Sequence, residues 1–152
     1  MRFEERLANR GLQLPEYKSK KVFEPAVVTG NLVFVSGHAA KVDGSLVYNG
    51  IVGDSISLVE AQDAATICFL NCLSALKSKI GELDKISQFV NVKGYVASTP
   101  AFTDHPKVMN GVSELINEVF GETGKHSRIS FGASSLPEGT PVEVEIVVEI
   151  KH

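Results

Sequence analysis

The chain has 152 residues, of which 43% are hydrophobic and 22% are charged, a composition that is ordinary for one globular domain with its own core. Its 15 basic and 18 acidic residues give a net charge of −3, which disfavours nucleic acid and anionic membranes as partners because both select clustered basic surfaces. No apolar run approaches the ~20 residues that cross a bilayer, and the charged amino terminus lacks a signal core, so we expect a cytoplasmic protein without a membrane partner.

The amino-terminal part predicts a short helix over 3–10, ended by Gly11, and an extended arm over 12–25. We interpret 1–152 as a single domain, with 1–21 as an extension and arm and 22–150 as the core. The stretch "AVVTGNLVFVSG" predicts two strands joined by a turn at 29–31. The second strand, 32–36, is apolar until Ser36, so we expect both of its faces to be covered.

The clearest helix begins after Ser57, which forms a capping box with Glu60 and so satisfies free amides at the helix start. Its small and apolar residues repeat at helical spacing until Gly81 ends the helix. The stretch "ISQFVNVKGYVAS" predicts a strand, and a second helix is predicted over 106–120, ended by Gly121. The expected buried stripe of that helix comprises Val108, Val112, Leu115, Ile116 and Val119.

The carboxyl-terminal stretch "HSRISFGASSLPEGTPVEVEIVVEI" predicts a β-hairpin that turns at 136–139. Along its last strand valines and isoleucines alternate with Glu143, Glu145 and Glu149, so one face is apolar and the other carries carboxylates. The order of strands, helix, strand, helix and strands predicts an α+β fold with one sheet and two helices on a single face. The other face of the sheet is predicted to be a subunit interface.

Cys68 and Cys72 are spaced as neighbours on the first long helix. A metal site needs further ligands nearby, and no histidine or carboxylate cluster accompanies these two residues. We therefore expect buried thiols that act as small hydrophobic side chains, and no metal site.

Arg128 and Glu143 are the residues to which we assign chemistry. Each by itself is better explained as a solvated surface residue or a member of a structural salt bridge. The predicted hairpin, however, brings Arg128 and the strand that starts at Val142 into one neighbourhood. A guanidinium could then hold an anionic substrate while the carboxylate acts on a water molecule. The spacing alone leaves the two interpretations about equally supported.

Four segments together resemble the Rid family of reactive enamine/imine deaminases, also called YjgF-like or endoribonuclease L-PSP proteins. They are "TGNLVFVSGHAA", "FVNVKGYVAS", "HPKVMNGVSELINEVFG" and the carboxyl-terminal stretch given above. The resemblance covers residues 22–150, and the carboxyl-terminal stretch is its most specific part. The amino-terminal "RLANRGLQLP" and the segment "LVYNGIVG" resemble a longer-chain bacterial subgroup.

The resemblance implies a chorismate-mutase-like α+β layer that forms homotrimers with ligand clefts between subunits. It assigns the substrate carboxylate to Arg128 and water activation to Glu143, and it places Asn110 and the backbone of Ser36 and Gly37 along the cleft. No metal or organic cofactor is implied.

The sequence departs from the family pattern at four of its positions. Phe23 stands where deaminating members carry a cleft tyrosine, and Ser130 stands where a cysteine is common. Ile129 replaces a serine and His38 replaces a glutamine. The anion-binding arginine is therefore kept while the rest of the pocket has changed.

The function implied is hydrolytic deamination of 2-aminoacrylate-like enamines and imines to 2-keto acids and ammonia, with a small carboxylate as the substrate. The alternative is a non-catalytic protein that binds or senses small carboxylates in the same cleft. Ribonuclease activity is a third hypothesis. The acidic charge balance and the lack of a basic, aromatic surface disfavour it.

Overall fold

A mixed five-stranded sheet with helices on one face organises the protein in the computed structural model, which describes residues 2–18 and 22–151. The five strands are β1, β2, β5, β6 and β7, in the spatial order β1-β2-β7-β5-β6. Only β5 and β6 pair in parallel, and the other neighbours are antiparallel. A small separate hairpin is formed by β3 and β4. The bounds are α1 Phe3–Asn9, β1 Ala26–Thr29, β2 Leu32–Ala39, β3 Lys41–Val42, β4 Ser45–Leu46, α2 Leu58–Ile80, β5 Ile86–Ala97, α3 His105–Phe120, β6 Ser127–Ala133 and β7 Val142–Ile150.

The predicted start and end of α2 are confirmed. Ser57 Oγ accepts a hydrogen bond from the Glu60 amide at 3.2 Å, and Glu60 Oε1 accepts one from the Ser57 amide at 3.0 Å. Each bond satisfies an amide that the helix cannot pair internally. Gly81 ends the helix with a φ of 93°, a conformation that glycine adopts without steric cost.

The core lies between α2, α3 and one face of the sheet. Every second residue of β7, from Val142 to Ile150, is buried beneath the helices, as the alternation predicts. The whole predicted stripe of α3 is buried as well. Cys68 and Cys72 are free, buried thiols whose Sγ atoms donate to the carbonyls of Val142 and Val144, and burial raises the pKa of both. The α+β class with two helices on one face is therefore confirmed.

The amino-terminal helix α1 packs against the end of α3. Leu7 is buried, and the Phe3 and Phe120 ring centroids lie 4.7 Å apart. Arg6 Nη1 donates to the carbonyl of Val119 at 2.9 Å. This contact satisfies one of the carbonyls that a helix leaves unpaired at its carboxyl end.

The predicted hairpin at the carboxyl terminus is wrong. Strands β6 and β7 do not pair, because β5 lies between them and pairs with both. The chain crosses from one side of β5 to the other through a short 3-10 turn at Pro137–Gly139. The predicted alternation of β7 is confirmed, but β6 and β7, adjacent in sequence, are not neighbours in the sheet.

The expectation for β2 also needs correction. Val33 and Val35 are buried under the helices, whereas Phe34 is 49% exposed on the opposite face, so within one chain only one face of this strand is covered. The strand continues to Ala39, with an irregularity in its pairing between Val35 and His38. Ser36 and Gly37 therefore lie inside the strand at a bulge and not at its end.

Candidate functional site

The guanidinium of Arg128 is held by polar groups of α3. Arg128 lies on β6 beside Val92, whose side chain is buried, so Arg128 points to the helix-covered face of the sheet. There Nη1 donates to Asn110 Oδ1 at 2.9 Å and to Ser113 Oγ at 3.1 Å. Asn110 and Arg128, both assigned to the cleft by resemblance, are thus direct partners.

Arg128 has no carboxylate partner in the part of the chain that the structure describes. Within 2–18 and 22–151, no aspartate or glutamate oxygen lies within ion-pair distance of its guanidinium. An arginine has five N–H donors, and both hydrogens of Nη1 are used by the two neutral acceptors on α3. Within the described residues no hydrogen bond involves the edge formed by Nε and Nη2, whose geometry suits the two oxygens of a carboxylate.

A second polar cluster surrounds Glu143 at the start of β7. Glu143 pairs with Ala39 on β2 and with Tyr95 on β5, and Tyr95 lies on the sheet face that no helix covers. A Cβ built on Gly37 would stand 2.8 Å from Glu143 Oε1, closer than real Cβ contacts come. The carboxylate therefore lies over the bulge of β2 in space that only glycine leaves open.

A pocket of about 420 Å³ adjoins this carboxylate. Its wall includes Gly37, Phe23 and Glu143, three of the residues assigned to the cleft by resemblance. The amino-terminal arm forms another part of the wall through residues 15–18, and Asn71 of α2 a further part. Phe23 is 53% exposed, so its ring presents apolar surface beside the carboxylate. The volume falls in the usual range for sites that bind small molecules.

The two clusters lie on opposite faces of the sheet. Val92 and Tyr95, the β5 neighbours of Arg128 and Glu143, are three residues apart on one strand, and side chains alternate between faces along a strand. The expectation that Arg128 and Glu143 share one neighbourhood within a single chain is therefore wrong. Any site that uses both must join surfaces of two chains.

The remaining predicted residues divide between these clusters. Ser130 follows Arg128 by two residues on β6 and pairs with Gly94, so it lies on the same face as Arg128. Ser36 Oγ donates to the Glu24 carbonyl at 2.7 Å and its amide donates to the Pro25 carbonyl at 2.9 Å. These two bonds fix the segment that contains Phe23 against β2.

The uncovered face of the sheet carries both apolar and charged side chains. Phe34, Ile129 and Phe131 are 49%, 52% and 42% exposed. The Tyr95 hydroxyl donates to Glu145 Oε1, and the Tyr95 ring meets the edge of Phe131 with centroids 5.0 Å apart. Burial and the bond to Glu145 raise the pKa of Tyr95 to about 12.

The sequence interpretation missed two residues of the Arg128 cluster. Ser113 lies three residues after Asn110 on α3, a spacing that places both on one helix face and that could have identified it. His126 contacts Ser113, with 2.9 Å between Nε2 and Oγ, and its Nδ1 lies 2.6 Å from the Gly124 carbonyl. No sequence spacing indicates that contact, because α3 and the segment before β6 meet only in the folded chain.

Metal ions and membranes are two further kinds of partner that the described residues can be compared with. In the ranges 2–18 and 22–151, no cluster of three or more histidine, cysteine, aspartate or glutamate side chains is arranged to hold a metal ion. Over the same ranges, no helix combines the length and apolar character needed to traverse a bilayer.

Comparison with known proteins places this fold and sequence in one family. The family described as "YjgF/chorismate mutase-like, putative endoribonuclease" matches residues 4–150. The chain is 35% identical over 148 residues to Protein TCP17 of Trypanosoma cruzi, covering 96% of this chain and 92% of that one.

Two solved structures are similar over nearly the whole chain. The protein Atu1372 of Agrobacterium tumefaciens, of unknown function, is 38% identical with a TM-score of 0.90, over 97% of this chain and 91% of that one. A "putative endoribonuclease" of Shewanella oneidensis is 31% identical with a TM-score of 0.94, over 99% of this chain and 100% of that one. The resemblance inferred from the sequence is confirmed, and the chain belongs to the YjgF/chorismate mutase-like family.

Proposed function

We propose that this protein hydrolyses reactive enamines and imines that carry a carboxylate, such as 2-aminoacrylate, to 2-keto acids and ammonia. The observation that carries the proposal is the setting of Arg128. The residue is partly buried, and its guanidinium is oriented by the neutral acceptors Asn110 and Ser113. Because arginine keeps its charge, a site of this kind gains most from a ligand carboxylate on the remaining Nε and Nη2 edge.

The proposed site lies between subunits of a homotrimer. Arg128, Asn110 and Ser130 would come from one chain, and Phe23, Gly37 and Glu143 from the next. The exposed apolar residues of the uncovered sheet face, Phe34 among them, support contact with further copies of the chain.

The chemistry needs only proton transfers and positioning. The substrate carboxylate binds Arg128, and an enamine first becomes the imine as its β-carbon takes up a proton from solvent and its nitrogen gives one up. Glu143 then accepts a proton from water as the water oxygen bonds to the imine carbon. The C=N π electrons move to nitrogen, which takes up a proton and gives a tetrahedral carbinolamine. The C–N bond then breaks, ammonia leaves, and loss of the hydroxyl proton forms the keto group. Proton transfer by a placed carboxylate typically contributes about 10²- to 10⁴-fold.

A second candidate is a non-catalytic binder or sensor of small carboxylates. Phe23 favours it, because this ring lines the pocket beside Glu143 without the hydroxyl that deaminating relatives have at the matching position. Binding of a 2-keto acid would need only the Arg128 edge and the pocket.

RNA cleavage is the activity that the family's description names, and the charge of this chain does not favour it. A net charge of −3 provides no electrostatic attraction for a polyanion. We expect no RNA degradation above that of a mock purification.

The test is release of pyruvate and ammonia from freshly generated 2-aminoacrylate, followed at early times because the imine also hydrolyses spontaneously. We expect acceleration by the wild type, and loss of it in Arg128→Ala and in Glu143→Gln. Glu143→Gln should still bind 2-keto acids in calorimetry. If the wild type accelerates nothing but binds 2-keto acids through Arg128, the protein is a binder and the deaminase proposal is wrong.

A further inference from the structure

We infer that His126 is a positioning residue for Arg128 and acts on it through the hydroxyl of Ser113. The inference rests on the proposed function only in taking the carboxylate of an imine or a 2-keto acid as the ligand of Arg128. No hydrogen bond joins His126 directly to the guanidinium among the described residues. Its role follows from the direction of the hydrogen bonds that connect the two side chains.

The direction of these bonds is fixed at one end by a carbonyl. The Gly124 carbonyl oxygen can only accept, so the hydrogen on His126 lies on Nδ1, 2.6 Å away. In the neutral ring Nε2 is then an acceptor, and it takes the hydroxyl hydrogen of Ser113 at 2.9 Å. The lone pairs of Ser113 Oγ are left to face Arg128 Nη1 at 3.1 Å. All three hydrogen bonds therefore run in one direction, from Arg128 through Ser113 and His126 to the Gly124 carbonyl. In such a row, successive hydrogen bonds strengthen one another.

The consequence for Arg128 is a guanidinium with a fixed plane. One hydrogen of Nη1 is held by Asn110 and the other by the oriented Ser113 hydroxyl. If His126 did not accept the Ser113 hydrogen, that hydroxyl could rotate and present its hydrogen to the guanidinium. A guanidinium that is already oriented loses less conformational freedom when it binds a carboxylate.

The molecule contains a matched pair for comparison. His105 Nε2 lies 3.0 Å from Ser98 Oγ, so it makes the same kind of contact with a serine as His126 does. Neither His105 nor Ser98 contacts Arg128 in the described part of the chain. Variants of His105 therefore control for the loss of a histidine–serine bond as such.

The tautomer of His126 tests the network without reference to any activity. In ¹⁵N-labelled wild-type protein at a pH where the ring is neutral, we expect the Nδ1–H form for His126, identified by the signal that disappears in His126→Gln. Observation of the Nε2–H form would overturn the inference, since Nε2 could not then accept from Ser113.

A double-mutant cycle tests whether His126 acts through Ser113. We expect His126→Phe to raise the Kd of pyruvate about three- to tenfold, the usual range for one lost hydrogen bond, with little change in kcat. Ser113→Ala should have a similar effect, and the double variant should be no worse than either single one. His126→Gln, whose Oε1 can accept from Ser113, should bind nearly as well as wild type, and His105→Phe should leave Kd unchanged.

Several results would contradict the inference and leave the proposed function intact. One is an unchanged Kd of pyruvate in His126→Phe. Another is a double variant in which the losses of affinity from His126→Phe and Ser113→Ala add fully. The third is a loss of affinity in His105→Phe as large as that in His126→Phe. In each case the wild type would still accelerate imine hydrolysis. Conversely, a wild type that hydrolyses no imine but shows the expected cycle in Kd contradicts the deaminase proposal and supports the role of His126.

Discussion

Arg128 and Glu143 lie on opposite faces of one sheet, with β5 between the strands that carry them. Arg128 is hydrogen-bonded to α3 on the covered face. Glu143 lies over the bulge of β2, beside a pocket of about 420 Å³. One chain thus carries two separate polar clusters. If both residues serve one reaction in the proposed trimer, each chain gives its arginine to one neighbour and its glutamate to the other.

Mixing of two inactive variants should restore activity. In a trimer assembled from equal amounts of Arg128→Ala and Glu143→Gln chains, about one interface in four combines an intact arginine with an intact glutamate. We therefore expect about a quarter of the wild-type rate of imine hydrolysis after the two variants are unfolded and refolded together. Variants refolded separately and then combined serve as the control, and activity no higher than theirs would mean that one chain supplies both residues.

Substitution of Arg128 should separate charge from geometry. Arg128→Ala should weaken 2-keto acid binding about 10- to 100-fold, because a charge-assisted bond is lost. Arg128→Lys keeps the charge but lacks the planar fork, so we expect it to recover only part of the affinity. Calorimetry with pyruvate measures both. Lys125→Ala, which removes an equal charge from an exposed residue paired with Glu122, should bind like wild type; a loss as large as that of Arg128→Ala would point to a nonspecific charge effect.

Gly37→Ala should reduce turnover by displacing Glu143. The new Cβ would stand 2.8 Å from Glu143 Oε1, so the carboxylate must move. Because Arg128 is untouched, we expect a lower kcat for imine hydrolysis with 2-keto acid affinity changed little. Steady-state kinetics and calorimetry on the same preparation check this. A kcat equal to that of wild type would show that the position of the carboxylate at Gly37 is not needed for the reaction.

Two glycines, one within α3 and one on β5 beneath it, should respond to alanine in opposite ways. At Gly111, within α3, the nearest atom to a new Cβ would be Gln62 Cβ at 3.7 Å, an ordinary contact. Gly111→Ala should therefore raise the free energy of unfolding by up to about 1 kcal/mol through helix propensity. At Gly94 a Cβ would overlap the side chain of buried Met109. Gly94→Ala should therefore lower the free energy of unfolding by about 1–3 kcal/mol. Urea denaturation measures both, and equal signs would contradict this packing.

The stabilisation linked to the Tyr95 hydroxyl should change with pH only in the alkaline range. Its pKa is raised to about 12 by burial and by the bond to Glu145, so the folded protein holds the proton after the unfolded chain has lost it. The resulting stabilisation is present below pH 10, the ordinary pKa of tyrosine, and is lost as the pH rises towards 12. Absorbance titration of tyrosinate should show a group with a pKa of about 12 that Tyr95→Phe removes. Retention of that group in Tyr95→Phe would assign it to another tyrosine.

The local elements could be predicted because their signals lie close together in the chain. The capping box of Ser57 and Glu60, the glycines that end α2 and α3, and the alternation along β7 each involve residues within a few positions of one another. Such patterns depend on backbone geometry and on burial, which act locally. The order of the elements predicted the α+β class, and the family resemblance added the roles expected of Arg128 and Glu143, but neither indicated how the two residues are arranged.

By itself the sequence determined the helices, most strands, the buried face of β7 and the types of residue available for chemistry. Only the tertiary structure decided that β5 separates β6 from β7, that Arg128 is oriented by Asn110 and Ser113, and that Glu143 faces the other side of the sheet. The physical reason is that strand order and side-chain contacts depend on segments far apart in the chain. Their pairing is chosen by burial of the whole core and not by the residues at any one turn.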